Sequence, residues 1–146
     1  PHLMTGYLND PERTEAAFEG GWFHSGDLGQ IDDEGYISVV DRKKDMIKSG
    51  GENVASREVE EMIYRLPQVS EVAVIGLPDA KWIEAVTAVI VVKQGQDLTE
   101  AQVIEHCNAH MAHFKSPKRV VFVDALPKNP SGKLLKRELR KTIGVD

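Results

Sequence analysis

The chain is poor in several things that would have decided its class at once. It has one cysteine, Cys107, in 146 residues. That excludes an intrachain disulfide and a cysteine-rich metal site, and it fits a reducing compartment, so a cytoplasmic location is expected. No apolar run approaches the ~20 residues needed to span a bilayer. No signal-peptide pattern, internal repeat or low-complexity tract is seen in these 146 residues. What remains is ordinary: 41% hydrophobic and 28% charged residues, enough chain for one or two small domains with a real core. Opening on Pro1 in mid-pattern, without an initiator Met, it reads as a fragment of a longer chain.

The net charge of −5 conceals an asymmetry. Residues 115–141 hold nine Lys/Arg against two Asp/Glu, a balance of +7, which leaves −12 for the rest. Such a segment either attracts a polyanion (a nucleotide, coenzyme A, nucleic acid or an acidic membrane) or is a solvated basic helix face.

Asp10-Pro11-Glu12 predicts a helix start, with Asp as N-cap and a short helix to about Phe18 that Gly20-Gly21 stops. Two β-rich runs, 28–31 and 36–40, flank an acidic turn ending in Gly35 and predict a hairpin. The charge run Asp41-Arg42-Lys43-Lys44-Asp45 lacks apolar periodicity and is expected to be a linker or hinge. Residues 46–48 and 53–54 predict a second hairpin, around Ser49-Gly50-Gly51-Glu52. Ser56 is expected to cap a helix with Val59, Met62, Ile63 and Leu66 on one face. Strands follow at 69–77 and 85–92, separated by a loop over 78–82. A capping box at Thr99 and Gln102 predicts a helix to about His110. A strand at 119–123 and an amphipathic helix with Leu134, Leu135, Leu139 and Ile143 complete the order. The pattern implies an α+β fold, a small mostly antiparallel sheet with helices on one face. A β-rich piece precedes it, and the expected boundary lies between residues 1–43 and 44–146.

Several motifs could carry chemistry. Pro127-Lys128-Asn129-Pro130-Ser131-Gly132-Lys133 precedes the last helical pattern, which puts Lys133 on its expected first turn. A cation is disfavoured there by the helix dipole, yet beside free N–H groups it suits an anion site for a carboxylate or phosphate. Asp27, after Ser25-Gly26, can bind a vicinal diol such as ribose, or merely order its turn. Arg42 and Lys44 can contact a nucleotide or be solvated. Gly50 and Gly51 permit close backbone approach, or simply meet a turn's need for positive φ. Trp82, Phe114 and Lys118 can stack a purine and neutralise phosphate, or, for Trp82, lid the core. His106, His110 and His113 have near-helical spacing, but no Cys or acidic partner beside them makes a metal site.

In this order the motifs are far more specific than any one alone. The chain resembles, over essentially its whole length, the C-terminal part of the AMP-forming adenylating superfamily of acyl-CoA synthetases, aryl-CoA ligases, beetle luciferase and peptide-synthetase adenylation domains. The segments that carry the likeness are 21–27, 41–54 and 127–133, and their forms are most similar to those of fatty-acid or aryl acyl-CoA ligases. The resemblance implies a two-step reaction: a carboxylate and ATP give an acyl-adenylate and pyrophosphate, and the thiol of coenzyme A then displaces AMP. One small domain serves both steps by rotating about a hinge.

Carried over by position, Asp27 and Arg42 contact the nucleotide, Lys44 is the hinge, and Lys133 meets the carboxylate and α-phosphate in the first step. Gly50 and Gly51 line the pantetheine channel in the second step, with Lys48 on the face then turned inward. Trp82, Phe114 and Lys118 contact the CoA nucleotide. Ser116 stands where related enzymes can place an Arg, which leaves the 3′-phosphate without that contact. Residues 1–43 become the last piece of a large N-terminal domain, the expected partner. Mg2+ is expected for the full enzyme but not on this fragment, which alone is expected to be inactive. Two other readings stay open: a lid that loads a carrier protein, and a small basic nucleic-acid-binding module. Contact of the basic tail with a membrane surface is a further possibility.

Overall fold

The computed structural model describes residues 2–144. The chain divides into two compact units, Pro1–Lys44 and Asp45–Asp146.

In the first unit, helix α1 (Pro11–Ala17) opens as its cap chemistry dictates, with Asp10 Oδ1 accepting the Arg13 N–H at 2.9 Å. Strands β1 (Asp27–Ile31) and β2 (Ile37–Arg42) form an antiparallel hairpin. Its turn is built by the Asp32 carboxylate, which accepts the N–H groups of Glu34 and Tyr36. The charge run 41–45 is not a free linker. Asp41 and Arg42 finish β2, paired with Leu28 and Asp27, and Lys43–Asp45 form a 3₁₀ turn. Cross-strand pairing, invisible to composition, absorbs Asp41 and Arg42 of the run.

The second unit is the α+β element of the chain. Strands β3 (Ile47–Ser49), β4 (Glu52–Val54), β5 (Val69–Asp79) and β6 (Ile83–Val92) are antiparallel in the order β4-β3-β6-β5. Strand β7 (Arg119–Phe122) lies parallel to β6. Helices α2 (Ser56–Ile63) and α3 (Glu100–His110) cover one face, where Val59, Ile63, Val103 and Cys107 pack on Val72, Val74, Val86, Ala88 and Ile90. Helix α4 (Lys136–Ile143) covers the other face, with Leu139 packed on Ala73, Ile75, Leu77 and Val89. The expectation of helices on one face is therefore corrected. The cause is legible in β5 itself: residues 72–77 are buried without interruption because alternate side chains serve two cores. Burial holds the Cys107 thiol protonated, its pKa pushed up to about 11.

Two further corrections concern caps and ends. Ser56 does not cap α2. Ala55 occupies the cap position, and the buried Ser56 Oγ accepts from Lys136 Nζ at 2.7 Å. The 78–82 loop is shorter than expected, since Pro78 and Asp79 stay in β5, paired with Glu84 and Ile83. The capping box of α3 is present in both halves: Thr99 Oγ1 accepts the Gln102 N–H and Gln102 Oε1 accepts the Thr99 N–H. Thr99→Ala should therefore lower the unfolding free energy by ~1 kcal/mol, measured by urea denaturation. An unchanged midpoint would show that the tertiary contacts of α3, not its cap, hold its first turn.

The outer edge of β5 is closed by side chains. Glu60 Oε1 accepts the Val74 N–H at 2.8 Å and pairs with Lys136 Nζ at 2.7 Å, and the Tyr64 hydroxyl lies 3.4 Å from the Val72 N–H.

Candidate functional site

Lys133 is not on a helix. It lies in a tight loop closed by the bridge between Lys128 and Leu134, and α4 starts three residues later. The Asn129 side chain organises the loop: its Oδ1 accepts from Ser131 N–H (3.1 Å), Ser131 Oγ (2.8 Å) and Lys133 N–H (2.8 Å). The main chain closes around it, Asn129 N–H to Lys133 O and Leu135 N–H to Pro127 O, and Gly132 adopts φ 80°. The helix-dipole argument for Lys133 is thus corrected, because the N–H it would offer an anion is already taken by Asn129. What the loop provides is a fixed base for an exposed ammonium that pairs with no other described residue.

The glycine pair and the aromatic positions come together. Gly50 (φ 63°) and Gly51 (φ 88°) form the two-residue turn between β3 and β4 that needs positive φ at both positions. The Gly50 N–H donates to Trp82 O at 2.8 Å, and a Cβ at Gly50 would stand 3.1 Å from Trp82 Cε3. Trp82 is held in turn by Asp79 Oδ1, which accepts the Lys81 and Trp82 N–H groups. Beside it runs a cleft of ≈ 460 Å³ lined by Trp82, Ile104, Phe114, Ser116 and Lys118, among others. The Lys118 ammonium lies 5.2 Å from the Trp82 ring centroid and donates to His113 O at 2.6 Å. Burial first, and the nearby Lys81 charge second, pull its pKa below the usual lysine value. Lys48 is exposed on β3, next to the turn, and its N–H donates to Glu84 Oε2 at 2.6 Å.

In the other unit, Asp27 and Arg42 face each other across the hairpin and form an ion pair, Arg42 Nε to Asp27 Oδ1 at 3.2 Å. Lys44 is exposed in the 3₁₀ turn. The three histidines engage locally: His106 with Met62 O, His110 with His106 O, and His113 with Asn108 Oδ1. Among the described residues no three His, Cys, Asp or Glu side chains gather as a metal site.

Residues 58–133 match the family model of the AMP-binding enzyme C-terminal domain. The chain belongs to this family. It is 52% identical over 139 residues to the long-chain-fatty-acid–CoA ligase FadD13 of Mycobacterium tuberculosis, covering 95% of this chain and 27% of that protein. It is 44% identical over 143 residues to the 2-succinylbenzoate–CoA ligase of Bacillus mycoides, covering 98% and 29%. Among solved structures, ATP-bound MatB from Rhodopseudomonas palustris superposes with a TM-score of 0.90 at 44% identity, over 98% of this chain and 29% of that one. The chain thus spans a little over a quarter of the length of these relatives.

The matched stretch of this AMP-binding C-terminal domain contains Trp82, Phe114, Lys118 and Lys133; Asp27, Arg42, Lys44, Lys48, Gly50 and Gly51 precede it. Ion pairs account for much of the charge asymmetry. Most basic groups of residues 115–141 are neutralised within the domain: Lys115 by Glu58, Lys128 by Glu71, Lys136 by Glu60, Arg140 by Asp45 and Lys141 by Glu138. Three residues of the site escaped sequence reading. Asn129 and Asp79 act through side-chain turns, which their positions two residues before Ser131 and Lys81 could have signalled. Lys81 carries no motif at all.

Proposed function

We propose that this chain is the mobile C-terminal unit of an ATP-dependent, AMP-forming acyl-CoA ligase acting on a fatty or aryl carboxylic acid. The observation that carries the reading is that one compact unit presents two separate chemistries. One is an ammonium on a locked loop, Lys133, that pairs with no other described residue; the other is a glycine turn joined to an aromatic, cationic cleft. A two-step reaction needs both, at different times.

In the first step Lys133 neutralises charge developing between carboxylate and α-phosphate. Asp27 and Arg42 hold the nucleotide ribose, the ion pair between them orienting the carboxylate. In the second step Gly50 and Gly51 let pantetheine pass close to the backbone, with Lys48 beside it, and Trp82, Phe114 and Lys118 receive the CoA nucleotide. Lys44 is the hinge, residues 1–43 complete a larger partner domain, and the enzyme works in the cytoplasm. Mg2+ belongs, on this reading, to the full enzyme and not to this unit.

The test is a product assay on the enzyme that carries this chain. Acyl-CoA, AMP and pyrophosphate are expected from acid, ATP and CoA; transfer to a phosphopantetheinyl carrier protein in place of CoA would overturn the assignment. The 146-residue chain alone should show no ATP–pyrophosphate exchange, and measurable exchange would contradict the division of labour between the two domains.

A further inference from the structure

The boundary between the two compact units falls after Lys44, and the residues on either side of it are each anchored within their own unit. The Lys43 N–H donates to Gly26 O at 2.8 Å, inside the first unit. Asp45 opens the second unit, and its Oδ1 accepts from Arg140 Nη2 at 3.1 Å. That pair joins residues 95 positions apart. It is not a solvated surface pair of the kind that contributes little, because the Asp45 side chain is only 13% exposed and that of Arg140 32%. The guanidinium has a firm base, since the preceding Leu139 is buried in the core beneath α4. Beyond Asp45 the next anchored residue is Ile47, which is buried and paired with Val54 in the β3–β4 hairpin. Half-buried Met46 stands between them.

We propose that Arg140 is a positioning residue for the reaction cycle. By holding Asp45 to α4 it ends the rotatable stretch at Lys44, so that the change of pose turns on one residue and not on residues 44–46. A one-residue pivot has two soft dihedrals, and a pose is reached reproducibly when few dihedrals can vary. Without Arg140 the Asp45 carboxylate stays largely buried but loses this counter-ion, which favours its release to water together with Met46. The joint then lengthens. This role rests on the two-step reading above, in which Lys44 is the hinge.

The experiment is a double-mutant cycle in the full enzyme, with ATP–pyrophosphate exchange and CoA acylation from preformed acyl-adenylate assayed separately. Lys44→Pro fixes φ of the joint at about −65° and should lose the half-reaction whose pose needs another φ. Adding Arg140→Met should return about tenfold of that lost rate, because residues 45–46 can turn instead, a coupling within the range for residues that share one structural element. Arg140→Lys in its place keeps the charge and should return little. In the 146-residue chain, Arg140→Met should speed amide exchange at Asp45 and Met46 while β5 and β6 keep their protection. Additive losses in the cycle, or faster exchange spread evenly over the second unit, would overturn the positioning role and leave Arg140 a stability contact. Lys44→Pro with both half-reactions intact would overturn Lys44 as the hinge. Failure of the full enzyme to make acyl-CoA would overturn the ligase reading beneath both.

Discussion

In the full enzyme, Lys133→Ala should slow acyl-adenylate formation by about 10²- to 10³-fold, the loss expected when one preorganised charge is removed from a transition state. Thioester formation from preformed acyl-adenylate should be spared. The asymmetry follows from the loop. Asn129 fixes the main chain on both sides of Lys133, so the base of its side chain is held, and in the proposed cycle this surface faces the reactants in the first step alone. The mutation should also leave stability unchanged, because Lys133 is exposed and the loop is held by groups other than its side chain. Separate assays of ATP–pyrophosphate exchange and of CoA acylation decide the matter: equal loss in both would mean that Lys133 does not belong to the first step.

The second large effect is expected at Gly50, by comparison with its neighbour. Both glycines have φ near the left-handed region, and alanine at either position carries a strain of ~1–2 kcal/mol. Only Gly50 has an occupant beside it: a new Cβ would meet Trp82 Cε3 at 3.1 Å, whereas a Cβ at Gly51 meets nothing within 4 Å. Gly50→Ala should therefore displace the indole and narrow the channel, lowering CoA acylation ~10- to 100-fold with adenylation preserved. Gly51→Ala should cost stability by a similar amount with a much smaller kinetic effect. The KM for CoA in the two variants measures the difference. If both rise alike, backbone strain and not the Gly50–Trp82 contact sets the geometry.

Sequence periodicity served well where one side chain serves one surface. The N-cap at Asp10, the capping box at Thr99 and the glycine turn at 50–51 were all readable, since each is a local rule with a local partner. Reading failed where partners are distant. Ser56 looks like a cap until Lys136, 80 residues away, is seen to hold its hydroxyl. Reading also failed at one local partner: Lys133 looks like a helix residue because the apolar pattern that follows it hides the loop that the Asn129 carboxamide closes. Arg42 looked like part of a linker because its register opposite Asp27 depends on the hairpin and not on composition. The same holds for the site: Gly50, Trp82 and Lys118 carried individually weak signals, and it takes the pairing of β3 with β6 at Ser49 and Ile83, and the Lys118 N–H bond to Val86 O on β6, to set them side by side.

The sealed margin of β5 bears on a different problem, solubility. A bare strand edge is a template on which other chains can polymerise. A unit that changes its neighbours during every turnover would present such an edge to the solvent again and again. Here Glu60 occupies the Val74 amide and Lys136 neutralises Glu60, so the edge is stoppered from within the unit. If the unit turns as proposed, this protection against aggregation turns with it, because both Glu60 and Lys136 belong to the same unit as β5.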